Sequence, residues 1–260
     1  MENTNWRKQA KDQPSFPDTL WSRPENRRHA GKLLIIGGNK HSFAAVSSAY
    51  SAANGAGIGT ARVMLPDSLE RMLIKVFPEA EFTSSTLSGS FARTALGPMC
   101  DAAAWGDHIL LAGDFGKNSE TAILLESFLA KYKDGVVLAG NGIDYFYNEP
   151  SLILDRPSTT LVAEFNQLQK LLSGRLLLKH SMNLAQLAEA LARLASNCQV
   201  NVVTAHSDQI IVAASGQVST TPASRVDFAE LAAHISVWSL QQPGKTFEAL
   251  TTAVYCYLQS

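Results

Sequence analysis

The chain has 260 residues, 46% hydrophobic and 17% charged, which is enough for one sizeable core or at most two small domains. Its net charge of -1 at pH 7 gives no electrostatic reason to expect a nucleic acid or an anionic membrane as a partner. The first residues have no apolar signal core, and no stretch reaches the roughly 18 apolar residues of a membrane span, so we expect a cytoplasmic protein.

Residues 1–30 are polar and contain prolines and three arginines just before the first strand, Arg23, Arg27 and Arg28. This composition is typical of a leader that packs only in part. An arm that reaches a neighbouring subunit or a phosphate is the alternative. We expect residues 31–260 to form a single domain.

The first strong pattern is a strand, a helix and a second strand. An apolar run at 33–36 predicts a strand buried on both faces of a parallel sheet. Two glycines end it, Ser42 is placed to cap a helix that reaches about residue 54, and residues 60–65 form the next strand. The glycine spacing does not match the dinucleotide fingerprint GxGxxG, so the glycines indicate tight turns and close packing.

Beyond this unit, helix and strand patterns continue to alternate. Helices are predicted at 68–76, 98–105, 120–132, 163–172, 184–195, 228–240 and 247–258. Strands are predicted at 108–112, 136–139, 200–204 and 210–213. Alternation of this kind is typical of an α/β fold with a parallel sheet. The three cysteines are widely spaced, without a CxxC pair, and are expected to be reduced and partly buried.

The opening unit resembles that of the ADP- or ATP-dependent NAD(P)H-hydrate dehydratases, a ribokinase-like family. The family pattern is G-x-V-L-V-I-G-G, a small-residue helix, and G-A-G-L-V-T-V; here it is GKLLIIGG at 31–38 and GAGIGTA at 55–61. The resemblance implies a three-layer α/β/α fold with a mainly parallel central sheet. It also implies a homo-oligomer that uses ADP or ATP with Mg²⁺ to remove water from hydrated NADH or NADPH.

The resemblance places a first ligand crevice after the strand at 108–112. The family's G-P-G-L-G loop corresponds here to Gly113-Asp114-Phe115-Gly116, so Gly113 and Gly116 are candidate cofactor-binding residues. An acid at Asp114 repels a phosphate, and a simple strand-to-helix turn remains the alternative. Candidate substrate-binding residues beside this crevice are Asn39, His41, Ser42 and Phe43.

Two further family motifs are matched in part. The family's L-D-A-D-A-L corresponds to LAGNGI at 138–143, where Asn141 can hydrogen-bond a ribose or an amide but cannot hold Mg²⁺ by charge. T-P-H-x-G-E-F corresponds to 160–165, where Glu164 and Phe165 match. Glu164 is a candidate substrate contact, or a residue that interacts favourably with a helix dipole. The family has a later K-G turn, and the corresponding segment of this chain, Thr204-Ala205-His206, contains no lysine.

The decisive family motif is G-G-[ST]-G-D-V-L-A-G, in which glycine amides form an anion hole and the Asp is the base. Here the chain reads PASRVDFAEL at 222–231, which keeps Asp227 and lacks the glycines. Asp227 is the candidate catalytic residue, and Ser224 and Arg225 are candidate cofactor-binding residues. The alternative makes Asp227 a helix N-cap and Arg225 a solvated neighbour.

These departures predict a dehydratase-like protein, a carbon-oxygen lyase if active, whose activity is weakened or lost. The alternatives are a non-catalytic homologue that binds a nucleotide or serves assembly, and a small-molecule kinase of the same superfamily. The six histidines form no i,i+4 pair, so no protein metal site is predicted.

Overall fold

The computed structural model describes residues 5–75, 77–78 and 80–260. Within these ranges ten strands join in a single sheet, in the order β1-β10-β9-β8-β7-β6-β5-β2-β3-β4. The strands are β1 (Trp6–Lys8), β2 (Lys32–Gly37), β3 (Thr60–Pro66), β4 (Ala80–Thr83), β5 (His108–Gly113), β6 (Val136–Ala139), β7 (Thr159–Glu164), β8 (Val200–His206), β9 (Gln209–Ala214) and β10 (Gln217–Pro222). β9 is antiparallel to both neighbours, and the other pairs are parallel.

All six strands predicted from the sequence are confirmed, and four were missed: β1, β4, β7 and β10. The prediction of a helix from residue 163 is wrong, because β7 continues to Glu164 between β6 and β8 and the helix begins at Phe165. β10 was missed because its sequence QVSTTP is mostly polar. Its serine and both threonines are nevertheless buried, and Ser219 bonds to Thr251.

The helices flank the sheet and follow the predicted order. Within the described residues they are α1 (Pro17–Trp21), α2 (Ala44–Gly55), α3 (Glu70–Leu73), α4 (Leu96–Trp105), α5 (Ser119–Lys131), α6 (Ser151–Leu154), α7 (Phe165–Leu172), α8 (Leu184–Asn197), α9 (Phe228–Gln241) and α10 (Thr246–Tyr257). Short 3-10 turns lie at Arg27–His29, Asp67–Leu69, Arg93–Ala95, Gly140–Gly142 and Asp144–Phe146. The helix predicted at 68–76 is shorter than expected, and residue 76 lies outside the described residues.

Two apolar cores lie on opposite faces of the sheet. One packs α4, α5, α7 and α8 against residues such as Leu34 and Ile36, and the other packs α2, α9 and α10 against Leu33 and Ile35. Successive residues of β2 therefore point into different cores, as expected for a strand covered on both faces. The three-layer α/β/α fold with a mainly parallel sheet is confirmed.

The N-terminal segment contributes to this architecture. β1 pairs with β10 in parallel, and Phe16 packs edge-to-face against Phe247 of α10. Gln9 is buried, and its side-chain amide donates hydrogen bonds to Thr221 Oγ1 and Thr251 O, both at 3.1 Å. Residues of this segment thus extend the sheet and cover part of one core.

The three cysteines are free and partly buried. Every helix in the described ranges is too short, or not apolar enough, to span a membrane.

Candidate functional site

The winding of the sheet reverses between β2 and β5, and ligands of open α/β sheets bind beyond the carboxyl ends of the strands at such a point. The chain leaves β2 towards β3 and β4 on one side and returns on the other side as β5. The loops after β2 and β5 meet here, since the Gly38 N–H donates to Gly113 O at 2.9 Å. We call this place the switch crevice. Most of the candidate residues lie around it: Asn39, His41, Ser42, Phe43, Gly113, Gly116 and Asn141.

The two candidate asparagines hold the loops of the switch crevice together. Asn39 is 7% exposed; its Nδ2 donates to Asp114 O at 2.5 Å and its Oδ1 accepts the His41 N–H at 2.8 Å. The Oδ1 of Asn141 accepts the Phe115 N–H at 3.0 Å. Both side chains therefore bond to the protein's own backbone, and their observed role is to fix the loop after β5.

Asp114 supplies a negative charge at the start of α2. Its Oδ2 accepts hydrogen bonds from Ser42 Oγ at 2.8 Å and from the Ala45 N–H at 3.0 Å. The N-cap residue of this helix is Phe43 and not Ser42 as predicted, but Ser42 Oγ does accept the Ala44 N–H at 3.4 Å, and the Asp114 carboxylate accepts the next amide from the other loop. This carboxylate occupies the position that a helix N-terminus offers to an anion.

Other candidates of the switch crevice have structural explanations or stand in solvent. Gly113 and Gly116 have φ of +112° and +77°, which a side chain rarely adopts. A Cβ on Gly116 would also lie 2.6 Å from Ser90 Oγ. His41 is only partly covered and makes no side-chain hydrogen bond within the described residues.

The turn before α9 carries the remaining family candidates. Asp227 is the N-cap of α9: its Oδ1 accepts the Ala229 N–H at 2.9 Å and the Glu230 N–H at 3.1 Å. The interpretation of Asp227 as a helix N-cap is therefore confirmed. Ser224 and Arg225 are exposed in the turn that leads into the helix.

A cleft of about 420 Å³ opens beyond the carboxyl ends of β7 and β8. We call it the β7–β8 cleft. Its lining consists of Glu164, Phe165, Asn166, His180, Ala205, His206, Ser207, Asp208, Gln209, Ala223, Ser224, Val226 and Phe228. It thus brings together two of the predicted site residues, Glu164 and Ser224, and Asp227 lies between the lining residues Val226 and Phe228 in the chain.

One wall of the β7–β8 cleft is a cluster of three rings. The His206 and Phe165 rings stack with their centroids 4.3 Å apart at 28°, and the His180 ring lies 4.9 Å from Phe165 and 6.0 Å from His206. His180 Nε2 is 2.9 Å from Asn166 Oδ1. The Nε2 atom of His206 is buried and has no hydrogen-bond partner among the described residues. Aromatic faces beside free polar atoms are the features that ligand pockets combine.

The charged groups of the cleft are carboxylates. Burial, followed by the neighbouring His180, lowers the pKa of His206, which favours its neutral form at pH 7. Glu164 and Asp208 line the cleft, and its lining contains neither lysine nor arginine. Within the described residues, no group of three or more His, Cys, Asp or Glu is arranged to hold a metal ion.

Size alone does not select this cleft. A larger cavity of about 700 Å³ lies between the segment 175–182 and α8, and one of about 350 Å³ lies where β5 begins, at the opposite end of the sheet. Unlike these two cavities, the β7–β8 cleft opens at the carboxyl ends of parallel strands, on the same edge of the sheet as the switch crevice, where α/β folds bind ligands. Its position at this edge and its wall of aromatic rings together make it the candidate functional site.

The whole chain superimposes on solved α/β proteins. A ribokinase-like superfamily protein from Enterococcus faecalis is similar with a TM-score of 0.76 at 18% identity, over 100% of this chain and 88% of that chain. The fold is ribokinase-like. An ADP/ATP-dependent NAD(P)H-hydrate dehydratase from Bacillus subtilis, co-crystallized with ATP/Mg²⁺, gives a TM-score of 0.62 at 14% identity, over 93% of this chain and 86% of that chain.

Another similar structure is that of an adenosine kinase from Anopheles gambiae, in complex with a di(adenosine-5) tetraphosphate. It has a TM-score of 0.51 at 11% identity and covers 98% of this chain and 94% of that chain. The sequence matches no protein-family model and no curated protein. The ribokinase-like fold therefore rests on three-dimensional similarity.

Several lining residues of the cleft escape prediction from the sequence. Phe165 stands out there only as a family match, and His206 only as the place where a family lysine is missing. His180 lies between two helices in a loop without any motif. The signal that could have found them is positional: His206 and Glu164 end two adjacent parallel strands, and such strand ends meet at one edge.

Proposed function

We propose that this protein is a non-catalytic ribokinase-like homologue that binds an adenine-containing ligand in the β7–β8 cleft. As part of this proposal, residues 31–260 form one ligand-binding domain. The main observation in support of a loss of catalysis is that Asp227 caps α9. Phosphoryl chemistry in this fold needs free backbone amides at that helix start.

The capping contact explains why the amides are not free. Asp227 Oδ1 accepts the Ala229 and Glu230 N–H groups, so the first turn of α9 already has its acceptor. A helix start whose own carboxylate already accepts two of its amides offers an incoming phosphate fewer unpaired donors and a like charge. At the start of α2, the Asp114 carboxylate from the loop after β5 likewise accepts one amide, the Ala45 N–H. This pattern supports binding without turnover.

Ligand binding is supported by the cleft itself and by the ribokinase-like neighbours. The cleft volume of about 420 Å³ lies within the roughly 300–1,000 Å³ common for small-molecule sites. The Bacillus subtilis dehydratase was crystallized with ATP/Mg²⁺ and the Anopheles gambiae kinase with an adenosine compound. An adenine ring would stack on the aromatic wall formed by His206 and Phe165 or on Phe228.

The second candidate is an active NAD(P)H-hydrate dehydratase. The exposed Asp227 favours it, since this residue lies in the chain between the lining residues Val226 and Phe228 and is the one that the family resemblance assigns as base. In this alternative ADP or ATP with Mg²⁺ drives the dehydration. Both candidate functions include a cytoplasmic location and a homo-oligomer. Light scattering on the purified protein would measure its oligomeric state.

Turnover of hydrated NADH with ADP or ATP and Mg²⁺ separates the two candidates. We expect no recovery of nicotinamide absorbance above the protein-free rate, while titration calorimetry of the same sample detects binding of an adenine compound. Wild type, Asp227→Asn and Asp227→Ala should be equally inactive.

The two variants differ in a useful way. Asn is as good an N-cap as Asp, whereas Ala costs about 1 kcal/mol of folding free energy at such a position. Turnover by wild type that is lost in the well-folded Asp227→Asn protein would establish Asp227 as a base and reject the non-catalytic proposal.

A further inference from the structure

We infer that the β7–β8 cleft selects an uncharged nucleoside and discriminates against nucleotides that carry phosphate. This inference rests on the proposed function, because it specifies the ligand of the same cleft. A nucleoside triphosphate with Mg²⁺, which the family resemblance implies, does not fit the residues that surround the cleft.

The first support is the charge of the lining. Glu164 and Asp208 contribute two carboxylates, and no lysine or arginine lines the cleft. His206 favours its neutral form at pH 7. Arg225 lies in the turn between two lining residues, but it is exposed and is not part of the lining. A phosphate would therefore meet negative charge without the cations that normally bind it.

The second support is that the neighbouring helix start is occupied. Helix N-termini bind phosphate through unpaired N–H groups. At α9, next to the cleft, two of these groups already bond to Asp227. The Thr204-Ala205-His206 strand end also lacks the lysine of the family motif. The α9 start and this strand end thus offer fewer phosphate-binding groups than the family motifs do.

The same residues suit a base and a ribose. Carboxylates accept hydrogen bonds from ribose hydroxyls, so Asp208, and Glu164 with the lone pairs that its capping contact to the start of α7 leaves, are able to bind a sugar while they repel a phosphate. The unpartnered Nε2 of His206 offers a polar contact beside an aromatic face. Neutral hydrogen-bonding groups with stacking surfaces are the chemistry of nucleoside recognition.

Competition calorimetry with adenosine, AMP and ATP, the last with and without Mg²⁺, tests the inference. Wild type should bind adenosine at least about tenfold more tightly than ATP. Asp208→Asn should narrow this ratio by about threefold, because it removes one carboxylate from a partly exposed cleft. Asn suits this position, since residue 208 has a φ of +55° in the β8–β9 turn and asparagine tolerates that conformation.

Asp101→Asn is the matched control, because it makes the same charge change on the exposed surface of α4, away from the cleft. It should leave the adenosine-to-ATP ratio unchanged. Glu164→Gln provides a second cleft variant with the same expected direction. ATP binding as tight as adenosine binding, or tighter, would overturn the inference and leave the binding function standing. Failure of all three compounds to bind would remove the binding function as well.

Discussion

At the residue scale, two histidines are held neutral inside the protein. His108 is 7% exposed and His234 is 3% exposed. Burial, and then the charge of Arg156, lowers the pKa of His108 to about 4. Burial, and then Arg23, lowers the pKa of His234 to about 4. Both values lie well below the ordinary 6.5, so the folded state disfavours protonation.

This difference makes stability depend on pH. Between pH 6.5 and about 4 the unfolded chain binds protons that the folded chain refuses, so stability is full above pH 6.5 and falls as the pH is lowered. Each histidine contributes a slope of up to about 1.4 kcal/mol per pH unit. Urea unfolding at pH values of about 7.5, about 6.5 and about 5.5 measures this dependence of the unfolding free energy on pH.

His108→Gln should flatten this dependence, whereas His29→Gln, a change at an exposed histidine, should not. A slope that is unaffected by His108→Gln would show that this imidazole binds protons equally in the folded and unfolded states, contrary to the lowered pKa.

At the element scale, the β2–α2–β3 unit depends on close backbone contact. A Cβ added at Gly37 would lie 2.4 Å from Gly113 O and 2.8 Å from Val46 Cγ2, so β2, α2 and the loop after β5 leave no space for it. A Cβ added at Gly55, the last residue of α2, would have no atom of another part of the chain within 4 Å. Gly37 thus lies in a tightly packed environment, whereas Gly55 faces open space.

Gly37→Ala and Gly55→Ala form a matched pair. The first should destabilise the protein by about 1–3 kcal/mol through overpacking of rigid backbone. The second should be neutral or gain up to about 1 kcal/mol from helix propensity. Urea unfolding compares them, and equal effects of the two substitutions would contradict the packing account of Gly37.

Some strands and caps were predicted from the sequence and others were missed, for physical reasons. Strands such as β5, with the apolar run ILLA at 109–112, carry a strong signal because both of their faces are buried. β1 lies in a polar segment, and β10 buries hydroxyl groups that bond to α10 and to the N-terminal segment, so hydrophobicity does not reveal them. Capping across loops, as by Asp114, depends on the tertiary fold and leaves no local pattern.

At the scale of the whole molecule, the alternation of strands and helices predicted an α/β fold, and the resemblance of the opening unit to a known family implied its ribokinase-like architecture. The candidate site was predicted less well. Glu164 and Ser224 line the β7–β8 cleft, but the asparagines of the switch crevice bond to their own backbone. The His180–His206–Phe165 wall forms only when β7, β8 and a distant loop come together, which local sequence does not reveal.

The central claim is that the ligand binds in the β7–β8 cleft and not in the switch crevice. With six histidines in the chain, imidazole NMR signals can be followed individually as adenosine is added. His180 and His206 line the cleft, while His41 lies at the switch crevice. We predict that the signals of His180 and His206 shift in a saturable way and that of His41 stays in place. A saturable shift of His41 with His180 and His206 unchanged would contradict the account.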